Sequence, residues 1–158
     1  VDDKGSQSDG AGNLRDWWTA DDRGKFQAKA DMLIKQYNAF SPIPGYNVNG
    51  ALTLGENIGD NSGVAIAYKA YKLSLNVKEA PVIDGLTGDQ RFFMGFGQVW
   101  RSKMRDAAQI VQVKTDPHSP GQFRANGTMR NQPGFYEAFG VKEGDKMYLA
   151  PQDRVIIW

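Results

Sequence analysis

Apolar residues recur at helical spacing in the first third of the chain. After the polar segment 2–13, five of them follow at steps of four, three, four and three, which places them on one helix face. These residues are Phe26, Ala30, Leu33, Tyr37 and Phe40. Thr19 and Asp22 have the spacing of a capping box at the start of this helix. SPIPG at 41–45 predicts its end, because proline cannot continue a helix.

A second helix is predicted from about Thr53 to Leu75 by the same periodicity. Its second half, VAIAYKAYKLSL, is apolar on more than one side, which predicts a central and largely buried helix. A third helix follows another capping-box pattern, Thr87 with Gln90, and its apolar residues predict a core-facing side. These residues are Phe92, Phe93, Phe96, Val99 and Trp100.

Two shorter helices are predicted toward the C-terminus. One covers roughly 106–114, and the other lies in NQPGFYEAF, where Asn131 and Pro133 open the helix and Gly140 ends it. PHSPG between them predicts an irregular turn. The closing RVIIW is rich in β-branched residues and predicts the only strand. The whole pattern therefore predicts a mainly α protein.

The composition excludes several classes of function. The 158 residues predict one domain that covers 1–158. Net charge is +1 and the 19 basic residues are spread along the chain, so no nucleic-acid partner and no membrane contact are expected. With no cysteine and only one histidine, His118, these residues form neither a disulfide nor a zinc site with several histidines.

The stretch LTLGENIGDNSG, residues 52–63, contains two carboxylates, Glu56 and Asp60, four residues apart on the second predicted helix. Residues at this spacing share a helix face, so the two like charges favour a positive group nearby. The three glycines between and beside them predict close approach of another backbone. Simpler interpretations stay open here: a solvated helix turn, or an acid favoured by the helix dipole. The simpler interpretation of His118 is a histidine that packs in a turn, and that of Arg124 is a guanidinium on the surface.

Several segments, in order, resemble one family. GENIGDNSGVAIAYKAY is similar to the second zinc motif of the neprilysin-like zinc metallopeptidases, a Glu-x-x-x-Asp on a helix. VDDKGSQSDGAGNLRDWW resembles the segment after this family's HExxH helix, and TDPHSPGQFRANGTMRNQPGFYEAF resembles its C-terminal catalytic segment. GDQRFFMGFGQVWRSKMR is similar to its helical core, and Trp158 matches its terminal tryptophan. The resemblance implies the C-terminal helical part of a thermolysin-like zincin catalytic domain, mainly α with little strand.

The resemblance also implies roles for four residues. Glu56 stands where the family has its third zinc ligand, and Asp60 where an acid hydrogen-bonds a zinc-bound histidine. His118 stands where a histidine stabilises the oxyanion of the tetrahedral intermediate. Arg124 stands where an arginine binds the substrate backbone carbonyl and lies near the acid. The implied activity is that of a zinc metalloendopeptidase, with Zn²⁺ as cofactor and oligopeptides as substrates.

One part of the family's chemistry is not found in these residues: HExxH, which supplies two zinc-binding histidines and the general base. Val1 occupies a position where the family has phenylalanine, and Asp2-Asp3 match the acids that follow the motif. We therefore expect a piece of a larger peptidase that is inactive alone and binds the missing N-terminal part of the same protein. Its exposed apolar surface makes self-association an expected property.

A second class of function is kept as the alternative: a non-catalytic helical binding or scaffolding module derived from the peptidase fold. The reading frame upstream of Val1 separates the two classes, because an HExxH motif there favours the peptidase. The compartment stays open, with a bacterial and extracytoplasmic location slightly favoured.

Overall fold

The computed structural model describes residues 3–158, so the sequence match at Val1 and Asp2 lies outside the described residues. Six α-helices are present in this part of the chain. They are α1 (Ala20–Asn38), α2 (Leu54–Ser74), α3 (Gly88–Val99), α4 (Asp106–Thr115), α5 (Gly121–Met129) and α6 (Pro133–Phe139). Short 3-10 turns occupy Gly5–Gln7 and Pro151–Asp153. The predicted mainly α fold class is confirmed.

The chain divides into two compact units, and the division falls inside α2, between Gly59 and Asp60. The first unit contains the described residues up to Gly59, together with Met104–Pro120 and Val155–Trp158. Each of these segments contributes buried apolar side chains. They include Ala30, Leu33, Tyr37, Val48, Ile58, Val113 and Val155. The organisation of 1–158 as a single domain stays a prediction.

The second unit contains Asp60–Lys103 and Gly121–Arg154. Its core is an aromatic-rich cluster in which Val64, Phe93 and Met129 are buried. Six half-buried side chains pack against these three: Tyr68, Phe92, Phe96, Phe135, Ala138 and Met147. Because α3 contacts both α5 and α6, it is the central helix of this unit.

Both predicted capping boxes are present. The Thr19 hydroxyl accepts from the backbone N–H of Asp22 at 3.1 Å, and the Asp22 carboxylate accepts from the N–H of Thr19 at 3.4 Å. Thr87 and Gln90 form the same reciprocal pair, at 3.2 and 3.0 Å. Each box satisfies two backbone donors that a helix start leaves without an intrahelical partner. The apolar stripe of α1 is also confirmed, because its three central members are buried.

The prediction that the second half of α2 is buried is wrong. Ile66 and Leu73 are exposed, and Val64 is the buried residue of this half, whereas the other buried residues of α2 lie before it and most of them are polar. They are Leu54, Asn57, Ile58, Asp60, Asn61 and Ser62. The prediction from periodicity assumes that the buried residues are apolar. In this helix polar side chains are buried, which is possible because they are hydrogen-bonded. Val99 on α3 is likewise exposed instead of core-facing.

The predicted C-terminal strand is also not observed. Residues 154–158 form no strand, and the β-pairings among the described residues are three isolated bridges elsewhere in the chain. A β-branched run forms a stable strand only when a neighbour completes its ladder, so local propensity alone misled the prediction. Among the described residues, no helix is both long and apolar enough to cross a bilayer.

Helix α5 is not predicted from the sequence. Its residues, GQFRANGTM, include two glycines, an asparagine and a threonine, all of which are weak helix formers. Five of its nine residues are buried, Arg124 among them. Burial of that face stabilises the helix, since tertiary packing outweighs propensity in short helices. This helix carries Arg124, one of the four predicted site residues.

Substitution of Gly134 by alanine is expected to lower the free energy of unfolding by about 1–3 kcal/mol, the usual cost of overpacking. A Cβ atom at this position in α6 would collide with the ring of Tyr68, which is itself packed in the core of the second unit. Urea denaturation measures the effect. Gly95→Ala in α3 is the control, because no neighbouring atom lies within 4 Å of its added Cβ. That control should raise stability by about 0.5–1 kcal/mol; equal effects of the two variants would contradict the prediction.

Candidate active site

The start of α2 is held by a short polar turn. The side-chain oxygen of Asn49 accepts from two following backbone N–H groups, each at 3.1 Å. The Thr53 hydroxyl donates to the carbonyl oxygen of Asn49, also at 3.1 Å. The helix then begins at Leu54, which places Glu56 in its first turn, where the helix dipole favours a negative charge.

In the first unit, Glu56 faces His118. Glu56 Oε2 lies 3.4 Å from His118 Nε2, and the two side chains are 42% and 49% exposed. A carboxylate and an imidazole that are this close and half open to solvent can share a ligand between them. The structure therefore brings together two of the four predicted site residues, while their chemical roles stay predictions.

Asp116 is a further residue of this arrangement, and it is not among the residues predicted from the sequence. Its Oδ1 accepts from the backbone N–H of His118 at 2.8 Å and lies 2.6 Å from His118 Nδ1. An ionised carboxylate only accepts hydrogen bonds, so a proton on Nδ1 is the one that Asp116 can bind, while the Nε2 edge of the ring is turned toward Glu56. A signal was available, because Asp two residues before a turn residue is the spacing of an Asx-turn.

In the second unit, Asp60 and Arg124 form a buried ion pair. Arg124 donates from Nε to Asp60 Oδ2 and from Nη2 to Asp60 Oδ1, the latter at 2.7 Å. Each side chain is only 8% exposed. The guanidinium also lies 4.1 Å from the ring centroid of Trp100, within range of a cation–π contact. The predicted proximity of Arg124 to this acid is observed.

The glycines around the acidic pair differ in their surroundings. An added Cβ at Gly55 would lie 2.6 Å from Oδ1 of Asp3, whereas at Gly59 and Gly63 it would meet no described atom within 4 Å. Close approach of another backbone to this face thus stays a prediction. A close approach does occur at Gly121, the first residue of α5, where an added Cβ would lie 2.5 Å from the carbonyl oxygen of Trp100.

The acidic pair was expected to need a positive group nearby. For Asp60 this group is Arg124, which binds both carboxylate oxygens. For Glu56 the neighbouring titratable group is His118, which carries charge only when protonated. Each acid therefore has its own neighbour of potentially positive charge within its own unit.

Zinc sites in proteins use at least three protein ligands, normally with imidazole or thiolate among them. Among residues 3–158, no group of three or more His, Cys, Asp or Glu side chains is arranged to hold a metal ion. The half-exposed carboxylate of Glu56 suits one position of a zinc ligand set. The described residues thus fit part of such a site and do not complete it.

Comparison with known proteins identifies the family. Residues 1–155 match the peptidase family M13, so the chain belongs to this family. Neprilysin of Homo sapiens is 38% identical over 163 residues, which cover 99% of this chain and 21% of that protein. Neprilysin-1 of Caenorhabditis elegans is 42% identical over 164 residues, again 99% of this chain and 21% of the relative.

Solved structures of the family superimpose closely. The zinc metalloprotease Zmp1 of Mycobacterium tuberculosis, in complex with an inhibitor, gives a TM-score of 0.96 at 55% identity, covering 99% of this chain and 25% of that one. PepO from Lactobacillus rhamnosis gives 0.83 at 32% identity, covering 99% and 23%. The likeness confirms the predicted fold class, the helical part of a zincin peptidase. The chain spans about a fifth to a quarter of the length of these relatives.

Proposed function

We propose that this chain is part of the catalytic domain of a zinc metalloendopeptidase that cleaves oligopeptides. One observation carries the proposal. Helix α2 presents Glu56 half exposed beside His118, and one turn later it presents Asp60 buried against Arg124. The accessible carboxylate of Glu56 suits a metal ligand. The immobilised carboxylate of Asp60 suits a residue that orients another ligand of the same metal.

The proposed roles follow from these contacts. Glu56 binds zinc, which when bound supplies Lewis-acid activation of a water molecule and a peptide carbonyl. Asp60 orients a histidine ligand of the metal. In its doubly protonated form, His118 donates its Nε2 proton to the substrate oxygen that gains negative charge, while its Nδ1 proton is bonded to Asp116. Arg124 binds the substrate backbone carbonyl through its guanidinium, whose plane Asp60 fixes.

The other zinc ligands and the general base are assigned to an HExxH motif in the same polypeptide outside these 158 residues. A non-catalytic binding or scaffolding module is the alternative, and none of the described contacts favours it. The reading frame upstream of Val1 decides between them, because the peptidase needs the two histidines and the glutamate of that motif.

Glu56→Gln tests the proposal in a polypeptide that contains this chain together with HExxH. The neutral amide is a weaker ligand for zinc than a carboxylate, so we expect the purified variant to lose most of its bound zinc on dialysis and to lose peptidase activity. Elemental analysis by mass spectrometry measures the metal. Glu143→Gln, a change of the same chemistry at an exposed position, is the control and should keep full zinc content. Unchanged zinc content in Glu56→Gln would refute the ligand assignment.

The 158-residue chain by itself is expected to hold zinc weakly and to show no peptidase activity. One carboxylate and one histidine cannot provide three ligands and a base. Isothermal titration with zinc and a fluorogenic peptide assay check the two points. Tightly bound stoichiometric zinc in the purified chain would contradict the prediction.

A further inference from the structure

Two buried polar side chains lie directly after proposed site residues in the sequence. Neither has a role in the chemistry described above. Asn57 follows Glu56 on α2 and is 1% exposed, and Ser119 follows His118 and is 2% exposed. Both belong to the first unit. Buried polar groups cost free energy unless they are hydrogen-bonded, so their partners show what they do.

Asn57 and Ser119 bind each other. The Ser119 hydroxyl donates to Asn57 Oδ1 at 2.9 Å. The Asn57 amide in turn donates to the Thr53 hydroxyl at 2.9 Å, and that hydroxyl donates to the Asn49 carbonyl oxygen at 3.1 Å. The series therefore runs from the loop beside His118 into the backbone turn that starts α2. Each side chain in it has a partner, which makes the series rigid.

The site residues themselves are less buried than these neighbours. Glu56 and His118 are nearly half exposed, and their Oε2–Nε2 separation is 3.4 Å, longer than a normal hydrogen bond. Packing and direct bonding between them therefore do not fix their separation. One residue after Glu56 and one residue after His118, the buried hydrogen bond between Asn57 and Ser119 joins α2 to the loop that carries His118.

We infer that the hydrogen bond between Asn57 and Ser119 positions His118 over Glu56. Neither residue reaches the substrate, so both are positioning residues, and their effect on catalysis rests on the proposed function. Asp116 fixes the rotation of the imidazole, whereas Asn57 and Ser119 fix the location of its backbone. Misplacement of a reacting group by about 1 Å costs on the order of 100-fold in rate, which sets the expected scale.

The first test follows the imidazole directly in the 158-residue chain labelled with ¹³C-histidine. Because the chain has one histidine, each ring C–H gives one NMR signal. The double variant Asn57→Leu with Ser119→Ala removes both polar groups together and leaves neither of them buried without a partner, so stability should change little. We expect the ring signals to shift toward those of a solvent-exposed histidine and their relaxation to show greater mobility. Ring signals that coincide with those of the wild type would overturn the inference.

One control separates positioning from general stability, and one simpler variant covers a failure to fold. Gln132→Ala removes a buried amide that donates to Asn61 Oδ1 at 2.9 Å in the second unit, and it should leave the His118 signals unmoved. If the double variant does not fold, as judged by circular dichroism, Ser119→Ala alone gives the same readout. A shift of the His118 signals in Gln132→Ala equal to that in the Asn57 and Ser119 variants would show a structural effect only and would also overturn the inference.

The second test measures kinetics in the polypeptide that contains HExxH. The double variant should lower kcat about 10- to 100-fold, with KM and zinc content unchanged. A lower kcat in a variant of normal stability supports the inference. A mobile ring with unchanged kcat would instead refute the catalytic role proposed for His118, while the positioning contact itself would stand on the NMR result. The failure of each proposal can therefore be recognised separately.

Discussion

Replacement of Arg124 by methionine is expected to lower the free energy of unfolding of this chain by about 3–5 kcal/mol. The substitution keeps a long side chain beside Trp100 but removes both hydrogen bonds to the Asp60 carboxylate. That carboxylate is 8% exposed, so water cannot easily replace the lost donors. Urea denaturation followed by circular dichroism measures the change.

A second variant separates the ion pair from the packing around it. Asp60→Leu together with Arg124→Met removes both charges, and replacing a buried pair by apolar residues of similar volume is often neutral in stability. The double variant should therefore recover most of the loss. Arg23→Met, which removes an exposed ion pair to Asp16, is the matched control and should cost less than about 1 kcal/mol. A loss in Arg124→Met no larger than in that control would contradict the burial of the Asp60 pair.

Replacement of His118 by phenylalanine is expected to lower kcat about 100- to 1,000-fold in the zinc-loaded polypeptide, the usual effect of losing one oxyanion donor. Phenylalanine keeps a planar ring in the same loop but has no Nε2 to donate to the substrate oxygen. KM and zinc content should change little, because the proposed contact forms with charge that develops in the transition state. A fluorogenic oligopeptide assay and elemental analysis on the same samples provide the measurements.

Lys114→Gln is the control for the His118 variant. It removes a nearby positive charge from α4, where the ammonium lies 5.1 Å from the ring centroid of Tyr46. We expect wild-type kcat from this control. If His118→Phe raised KM and left kcat unchanged, His118 would contribute substrate binding alone, and its proposed role in the transition state would be wrong.

The elements that local sequence predicts well are those with local causes. Thr19 with Asp22, and Thr87 with Gln90, form capping boxes whose partners are three residues apart, so nothing distant is needed to recognise them. Gly140 ends α6 in the left-handed conformation, as its position after a helix predicts. The family resemblance, carried by ordered motifs, pointed to Glu56, Asp60, His118 and Arg124 and is confirmed at the level of the family.

The errors share one physical cause. The apolar second half of α2 was predicted to be buried. Asn57, Asp60 and Asn61 are buried instead, and each has a hydrogen-bond partner more than sixty positions away in the sequence. Helix α5 has poor propensity and forms because five of its residues are buried. Neither long-range partners nor burial can be read from a local window of sequence.

The sequence by itself therefore determined the helical class, the helix starts and the family, because spacing and motif order are properties of the chain. Only the tertiary structure decided which charges are paired. In the folded protein Arg124 binds Asp60 in a buried bidentate contact. Asp116 lies against the His118 ring, and Ser119 donates a hydrogen bond to Asn57. Except for Asp116, these contacts join residues far apart in sequence. Their energies depend on burial, which exists only once the chain has folded.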